Sequence, residues 1–182
     1  ALESIAEINK AGRRARDLVQ QILAFSRKQT LSRSVIALGP VVEEAVKLLQ
    51  ATLPAGVRLT VDCVAGLPDV SADSTEIHQV LVNLCTNAWH AMEGQPGHID
   101  IRLKEVTVDA ALAREHAGLR PGKCVRLSVR DTGKGMDAAT TERIFEPFFT
   151  TKAIDEGTGL GLSVVHGIMQ GHEGAIVVDS AP

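Results

Sequence analysis

Residues 156–174 read EGTGLGLSVVHGIMQGHEG, with glycines at 157, 159 and 161 set directly before an apolar-periodic run of helical length. Glycine has no Cβ, so it reaches left-handed backbone angles and lets the main chain approach a ligand closely. A helix start presents unpaired N–H groups and a partial positive charge. The two together describe a phosphate site. A turn followed by a cap has the same pattern, so the rest of the chain has to decide between them.

At 182 residues the chain can bury one good core, and its 45% hydrophobic and 23% charged residues are those of an ordinary globular protein. The net charge of −3 gives no support for nucleic acid or an anionic membrane surface as partner. No apolar run reaches the ~18–20 residues of a membrane span, and the acidic, amphipathic start is unlike a signal peptide. Cys63, Cys85 and Cys124 are odd in number and lack C-x-x-C spacing. They read as small buried hydrophobes in a reducing, cytoplasmic setting.

Residues 1–29 read as one helix, with Leu2, Ile5, Ile8, Gly12, Ala15, Val19 and Ile22 alternating three and four apart. That is the seam of a helix packed on other helices. Its other face carries Arg13, Arg14, Arg16, Arg27 and Lys28, either as a solvated face or as a docking one. Strands are expected at 32–38, 57–64, 98–108, 124–131 and 175–180, and helices at 41–53, 71–92 and 137–145. Asp73 and Glu76 form a capping box at the start of the long helix. Residues 109–123 read as a polar loop with at most a turn of helix. Mixed strands and helices point to an α+β fold, a two-layer sandwich of one sheet and one helix layer preceded by one long helix.

Two familiar nucleotide devices fail. GLRPGKC at 118–124 has too short a glycine spacing for a P-loop and Cys after the lysine, and GTGLGL at 157–162 breaks the dinucleotide pattern because residue 164 is Val. Other residues converge better. Asn83, Asn87 and His90 share one face of the long helix, opposite Val80, Leu81, Leu84, Cys85 and Ala88. Asparagine is costly inside a helix, and its amide oxygen suits a hard cation such as Mg²⁺. Asp131 ends a strand just before Gly133 and Gly135, either as a tight turn or as a buried carboxylate accepting from an exocyclic amine beside a flat ring. Phe145, Phe148 and Phe149 crowd five residues, and that aromatic surface must dock somewhere.

In order, NLCTNAWHAM, DTGKGM, FEPFF and GTGLGL resemble the N, first glycine, phenylalanine and second glycine boxes of sensor histidine kinases. Their catalytic domain has the Bergerat-type ATP-binding fold, shared with gyrase, MutL and the large heat-shock chaperone ATPases. RRARDLVQQILAFSRKQ resembles the second helix of the dimerisation and phospho-acceptor hairpin of nitrogen-sensor-like and hybrid kinases. The resemblance covers nearly the whole chain. It divides the chain into that helix at 1–30 and a catalytic domain at 31–182. It makes Asn87 the ligand of Mg²⁺ bridging the ATP phosphates, with Asn83 one turn earlier as its catalytic neighbour. Asp131 would accept the adenine amino group, with Gly133, Gly135 and Met136 lining the base. Residues 145–157 would form a lid, Lys152 and His90 would reach the phosphates, and Gly157, Thr158, Gly159, Leu160, Gly161 and Leu162 would wrap the triphosphate. Relatives that hydrolyse ATP use a glutamate at position 83, and an amide is no general base, so transfer to a protein histidine and relay to a response regulator receiver domain are implied.

Two features depart from the family. None of His78, His90, His98, His116, His166 and His172 sits in the phospho-acceptor signature, and many relatives have lysine at position 90. The resemblance therefore implies a fragment whose first hairpin helix is absent, with a last strand absent beyond residue 180. The intact protein, membrane-anchored or not, would be a homodimer, whereas this fragment would dimerise weakly or not at all. A non-catalytic docking module of the same fold and a serine kinase of the superfamily remain the alternatives.

Overall fold

The computed structural model describes residues 33–116, 118–152 and 157–182. The expected helix at 1–29 and the boundary after residue 30 lie outside them.

The sheet is built around one strand. Over its first half, strand β4, Gly97–Val108, alternates: Ile99, Ile101 and Leu103 are fully buried, while Arg102 and Lys104 are exposed. This period of two puts those three apolar side chains on a single face. β4 lies between β2, Val57–Cys63, which it pairs in parallel, and β5, Gly122–Asp131, which it pairs antiparallel from Ile99 opposite Asp131 to Val108 opposite Gly122. A smaller sheet joins β1, Ser34–Ile36, to β3, Val70–Ala72. β3 carries no signal in the sequence, since three residues are too few to show a period and they precede the helix start without a break.

Helices α1, Leu38–Thr52, α2, Ser74–Ala91, and α5, Gly161–Gly171, cover the apolar face of the larger sheet. α3, Ala110–Glu115, and α4, Ala138–Arg143, are short and carry no buried residue. α1 begins before Pro40 rather than after it, because a first-turn proline gives up an N–H that has no helical partner anyway. Val42, Leu49, Leu81 and Cys85 pack on Ile99, Ile101 and Leu103, and Val80 joins α2 to Val164, Val165 and Ile168 of α5. The architecture is the expected α+β two-layer sandwich.

Asp73 caps α2, its Oδ1 accepting from the N–H groups of Thr75 and Glu76 at 2.9 and 3.3 Å. The reciprocal half of the capping box does not form. The Asp73 N–H donates to Nε2 of His172 at 3.0 Å, and His172 Nδ1 donates to the Ile168 carbonyl at 2.9 Å. The end of α5 thus caps the start of α2. At α4, the Thr140 hydroxyl and N–H hold the Asp137 carboxyl below its ordinary value. A depressed carboxylate stabilises the fold above its unfolded pKa and loses that contribution as pH falls through the folded one.

The strand expected at 175–180 does not form. Those residues join neither sheet: Ile176 packs on the α2–α5 cluster, Val177 is 71% exposed, and Ser180 accepts from the Met136 N–H at 2.9 Å. The segment's bonding goes to the loop after β5 instead of to a ladder. Among the described residues, no helix is long and apolar enough to cross a membrane.

Truncating Ile101 to alanine removes the centre of the sheet's buried row, so chemical denaturation of I101A should show a loss of about 2–5 kcal/mol. Burial pushes the Cys85 thiol up to about 12. At pH 8 only about one Cys85 in ten thousand is then thiolate, and maleimide should label it in the native protein only through unfolding, at a rate that denaturant accelerates.

Candidate functional site

α2 has two unlike faces. Leu81 and Cys85 are fully buried against the sheet, whereas Asn83, Asn87 and His90 are half-buried along the other side. The Trp89 ring stacks on His90, with centroids 4.9 Å apart and planes 22° from parallel, which fixes the imidazole. The start of α5 comes down on this face. A Cβ at Gly161 would lie 3.4 Å from Asn83 Oδ1 and 3.6 Å from Asn87 Nδ2. The α5 N-cap, Leu160, makes no side-chain capping bond. An N-terminal turn with its partial positive charge therefore stands beside two amide side chains.

The loop before α5 is pinned at its base. The Phe148 N–H donates to the Gly159 carbonyl at 2.9 Å. Gly159 has φ +65°, and the Phe148 main chain occupies the space its Cβ would need. The glycine is required there twice over, by angle and by approach. From this base the chain turns inward at Lys152, whose N–H donates to Thr150 Oγ1 at 3.1 Å. Gly157 leaves room for Thr150 Oγ1 and the Lys152 stem. The Lys152 ammonium reaches His90 Nδ1 at 2.8 Å and Asn87 Oδ1 at 3.4 Å. Residues 153–156 of the expected lid lie outside the described residues.

The aromatic loop docks in part. Phe145 stacks on His166 at 5.1 Å, and the Arg143 guanidinium lies 4.3 Å over the Phe149 ring, but Phe148 is 66% exposed. His166 is the platform for Phe145. His78 is structural, its Nε2 within 3.1 Å of the Val41 carbonyl of α1.

A second group gathers one helical turn beyond Asn87. Gly133 packs against Ala91, where a Cβ would collide, and the Lys134 N–H donates to the Ala91 carbonyl at 3.0 Å. Asp131, expected to be buried, is exposed. It stands at the end of β5, where the sheet no longer covers it, and its Oδ1 accepts from the Gly133 N–H at 2.8 Å. Gly135 has φ +69° and lies against the Ala181 carbonyl, with Met136 held by Ser180.

The fold thus brings Asn83, Asn87, His90, Lys152, Gly157 and Gly161 to one place, and sets Asp131, Gly133, Gly135 and Met136 next to them at the last turn of the same helix. Thr158 is exposed and Leu162 half-buried, but Leu160 is 1% exposed and belongs to the core. Of Leu160, only the backbone is left for a ligand. Thr150, which no sequence signal singles out, supports Lys152. Among the described residues, no group of three or more His, Cys, Asp or Glu side chains is placed to hold a metal by itself.

Residues 72–182 match the family model described as histidine kinase-, DNA gyrase B-, and HSP90-like ATPase. The sensor kinase CckA of Brucella abortus is 40% identical over 176 residues, 97% of this chain and 18% of its own length. The sensor histidine kinase ZraS of Escherichia coli O157:H7 is 35% identical, over 94% of this chain and 34% of its length. The chain therefore spans about a fifth to a third of these curated relatives. Among solved structures, the histidine kinase ThkA in complex with the response regulator TrrA superposes with a TM-score of 0.67 at 27% identity, over 94% of this chain and 44% of that one. The catalytic domain of ThkA alone gives 0.59 at 28% identity, over 78% and 82%. With the family model matching well over half of its length and the catalytic-domain architecture in place, the chain belongs to the histidine kinase-, DNA gyrase B-, and HSP90-like ATPases.

Proposed function

We propose that this domain binds Mg-ATP along the polar face of α2 and serves as the catalytic part of a sensor histidine kinase, transferring the γ-phosphoryl group to a histidine of the intact protein for relay to a receiver domain. The observation that carries the reading is the convergence of Asn83, Asn87, His90, Lys152 and the glycine-rich start of α5 on the C-terminal half of α2, with Asp131 and Gly133 one turn beyond Asn87 against the last residue of the helix. An adenine nucleotide fits that polarity. Its exocyclic amine donates to the Asp131 carboxylate past the glycine turn, and its phosphates lie towards the positive helix start and Lys152.

The residues present fit a magnesium ion only in company with the nucleotide. Asn87 offers one hard oxygen, which already attracts the Lys152 ammonium, and Mg²⁺ characteristically takes one or two protein oxygens plus phosphates and waters. When bound, the ion neutralises charge on the transferring phosphoryl group. This chain's own residues position the reactants. Asn87 holds the cation, Lys152 and the α5 start offset phosphate charge, and Gly157, Gly159 and Gly161 bring the main chain close. Asn83, an amide, cannot take a proton from water. That favours transfer to a side chain over rapid hydrolysis. The match to ThkA, solved with its response regulator, supports a receiver domain as the downstream partner. A cytoplasmic setting follows from ATP as substrate.

Calorimetry tests the pocket directly. ATP with Mg²⁺ should bind adenine-selectively, EDTA should weaken binding, and D131N should weaken it about 10- to 150-fold. Absence of heat from a folded chain would instead favour a docking module. Gly159→Ala forces a side chain into a left-handed angle against Phe148. At about 1–2 kcal/mol for that angle alone, with the Phe148 contact added, chemical denaturation should show G159A less stable by at least that amount, and ATP titration should show weaker binding with α-helical circular dichroism retained.

A further inference from the structure

The chain's total charge of −3 conceals a cationic surface on the side of the larger sheet away from the helices. Ile99, Ile101 and Leu103 of β4 point into the core, and the ladder sets Leu59, Val129 and Leu127 on the same side. The alternate positions point outward: Arg58 and Asp62 of β2, Asp100, Arg102 and Lys104 of β4, and Arg126 and Arg130 of β5. None of these side chains is buried. Five cations stand there against two carboxylates, so the face carries +3 within a chain of net −3.

The two acids do not neutralise it. Asp100 is taken up by Arg102 at 2.7 Å and by the Thr60 hydroxyl at 3.1 Å. Arg58, Lys104, Arg126 and Arg130 form no ion pair among the described residues. Lys104 stands directly opposite Arg126 in the ladder, and both are exposed. Like charges at facing positions cost a sheet stability, and an exposed pair returns nothing to the core.

We propose that this sheet face docks on an anionic lipid surface. From the row of Arg58 to the row of Lys104 and Arg126 it spans about 20 Å by about 10 Å. Its outward positions hold no Phe, Trp, Leu, Ile, Val or Met. A protein interface draws most of its affinity from buried aromatic and apolar anchors, and single-stranded nucleic acid binds on stacked aromatic rings. This face offers neither. It offers charge spread over a broad sheet, which mobile headgroups match by rearranging beneath it. Carboxylates on the helix layer are separated from it by the thickness of the sandwich, more than the Debye length of about 8 Å at physiological salt, so they do not cancel the attraction. Docked in this way, the sheet faces the lipid and the polar face of α2 stays open to solution. The proposal does not depend on nucleotide binding.

The test is flotation of the 182-residue chain with vesicles of phosphatidylcholine alone and of phosphatidylcholine mixed with phosphatidylglycerol. Wild type should float with the mixed vesicles only, and should be released at about 1 M salt, where the Debye length is about 3 Å. At about fivefold in partition for each cation near the surface, K104Q/R126Q should bind about 30-fold less. Residues 1–30 are also basic, so R13Q/R14Q is a control, as is K47Q on the helix layer; both should float as wild type does. Binding lost in R13Q/R14Q and kept in K104Q/R126Q overturns the proposal. So does a wild type that ignores both kinds of vesicle; if immobilised polyglutamate then retains it and releases K104Q/R126Q, the face belongs to an acidic protein instead. Stability gives a second readout without lipid. K104E sets opposite charges across from one another, so its denaturation midpoint should rise while its vesicle binding falls. A fall in both makes Lys104 a structural residue and overturns its part in docking.

Discussion

The structure depends on α2 being held in one rotation about its axis. Leu81 and Cys85 are fully buried against Ile99, Ile101 and Leu103, and Val80 is locked to α5. At 100° per residue, fixing Leu81 and Cys85 also fixes Asn83, Asn87 and His90 on the opposite side, where Val80 holds α5 one turn before Asn83. A rotation of one residue would carry the amides towards the sheet and leave them unpaired there at a cost of about 1–3 kcal/mol each. Core packing and site geometry are therefore a single constraint. A loss of packing at Leu81 is expected to be felt at Asn83 and Asn87 without any contact to a ligand.

α5 serves both ends of that helix. Its start rests on Asn83 and Asn87, and its end supplies His172 to the Asp73 N–H that opens α2. Next to that junction, Glu173 pairs with Arg120 at 2.6 Å and with Arg33 at 3.6 Å, so β1 and the loop before β5 are tied to the same spot. These ion pairs are largely exposed and individually weak. The buried His172 contact and the Val164–Val165–Ile168 packing carry most of the coupling. The glycines before α5 are then explained mechanically as well as chemically: a helix clamped at its far end can meet the Asn pair only if its approach is unobstructed.

Much of the site is legible because it is local. The four-apart asparagines, the carboxylate ahead of two glycines and the alternating glycines before a helix are all patterns within one turn or one loop, where spacing alone decides which side chains share a face. Asp131 shows the limit. Its place at a strand end is readable, but its exposure depends on where the sheet stops, which is a property of β4 and β5 together. Leu160 fails for the same reason. It lies among the glycines in sequence, yet the packing of α5 on α2 turns its side chain into the core.

By itself, the sequence determined the periods: two in β4, 3.6 in α2 and α5, and with them the two layers and the faces that Asn83, Asn87 and Gly161 occupy. Tertiary structure alone decided which distant groups meet. That Lys152 reaches across 62 residues to His90, that His172 rather than Glu76 completes the cap at Asp73, and that residues 175–180 follow the Met136 loop instead of pairing as a strand are long-range choices. Each of those partners was set by the hydrophobic packing of α2 and α5, a large energy summed over many side chains that single hydrogen bonds can only follow.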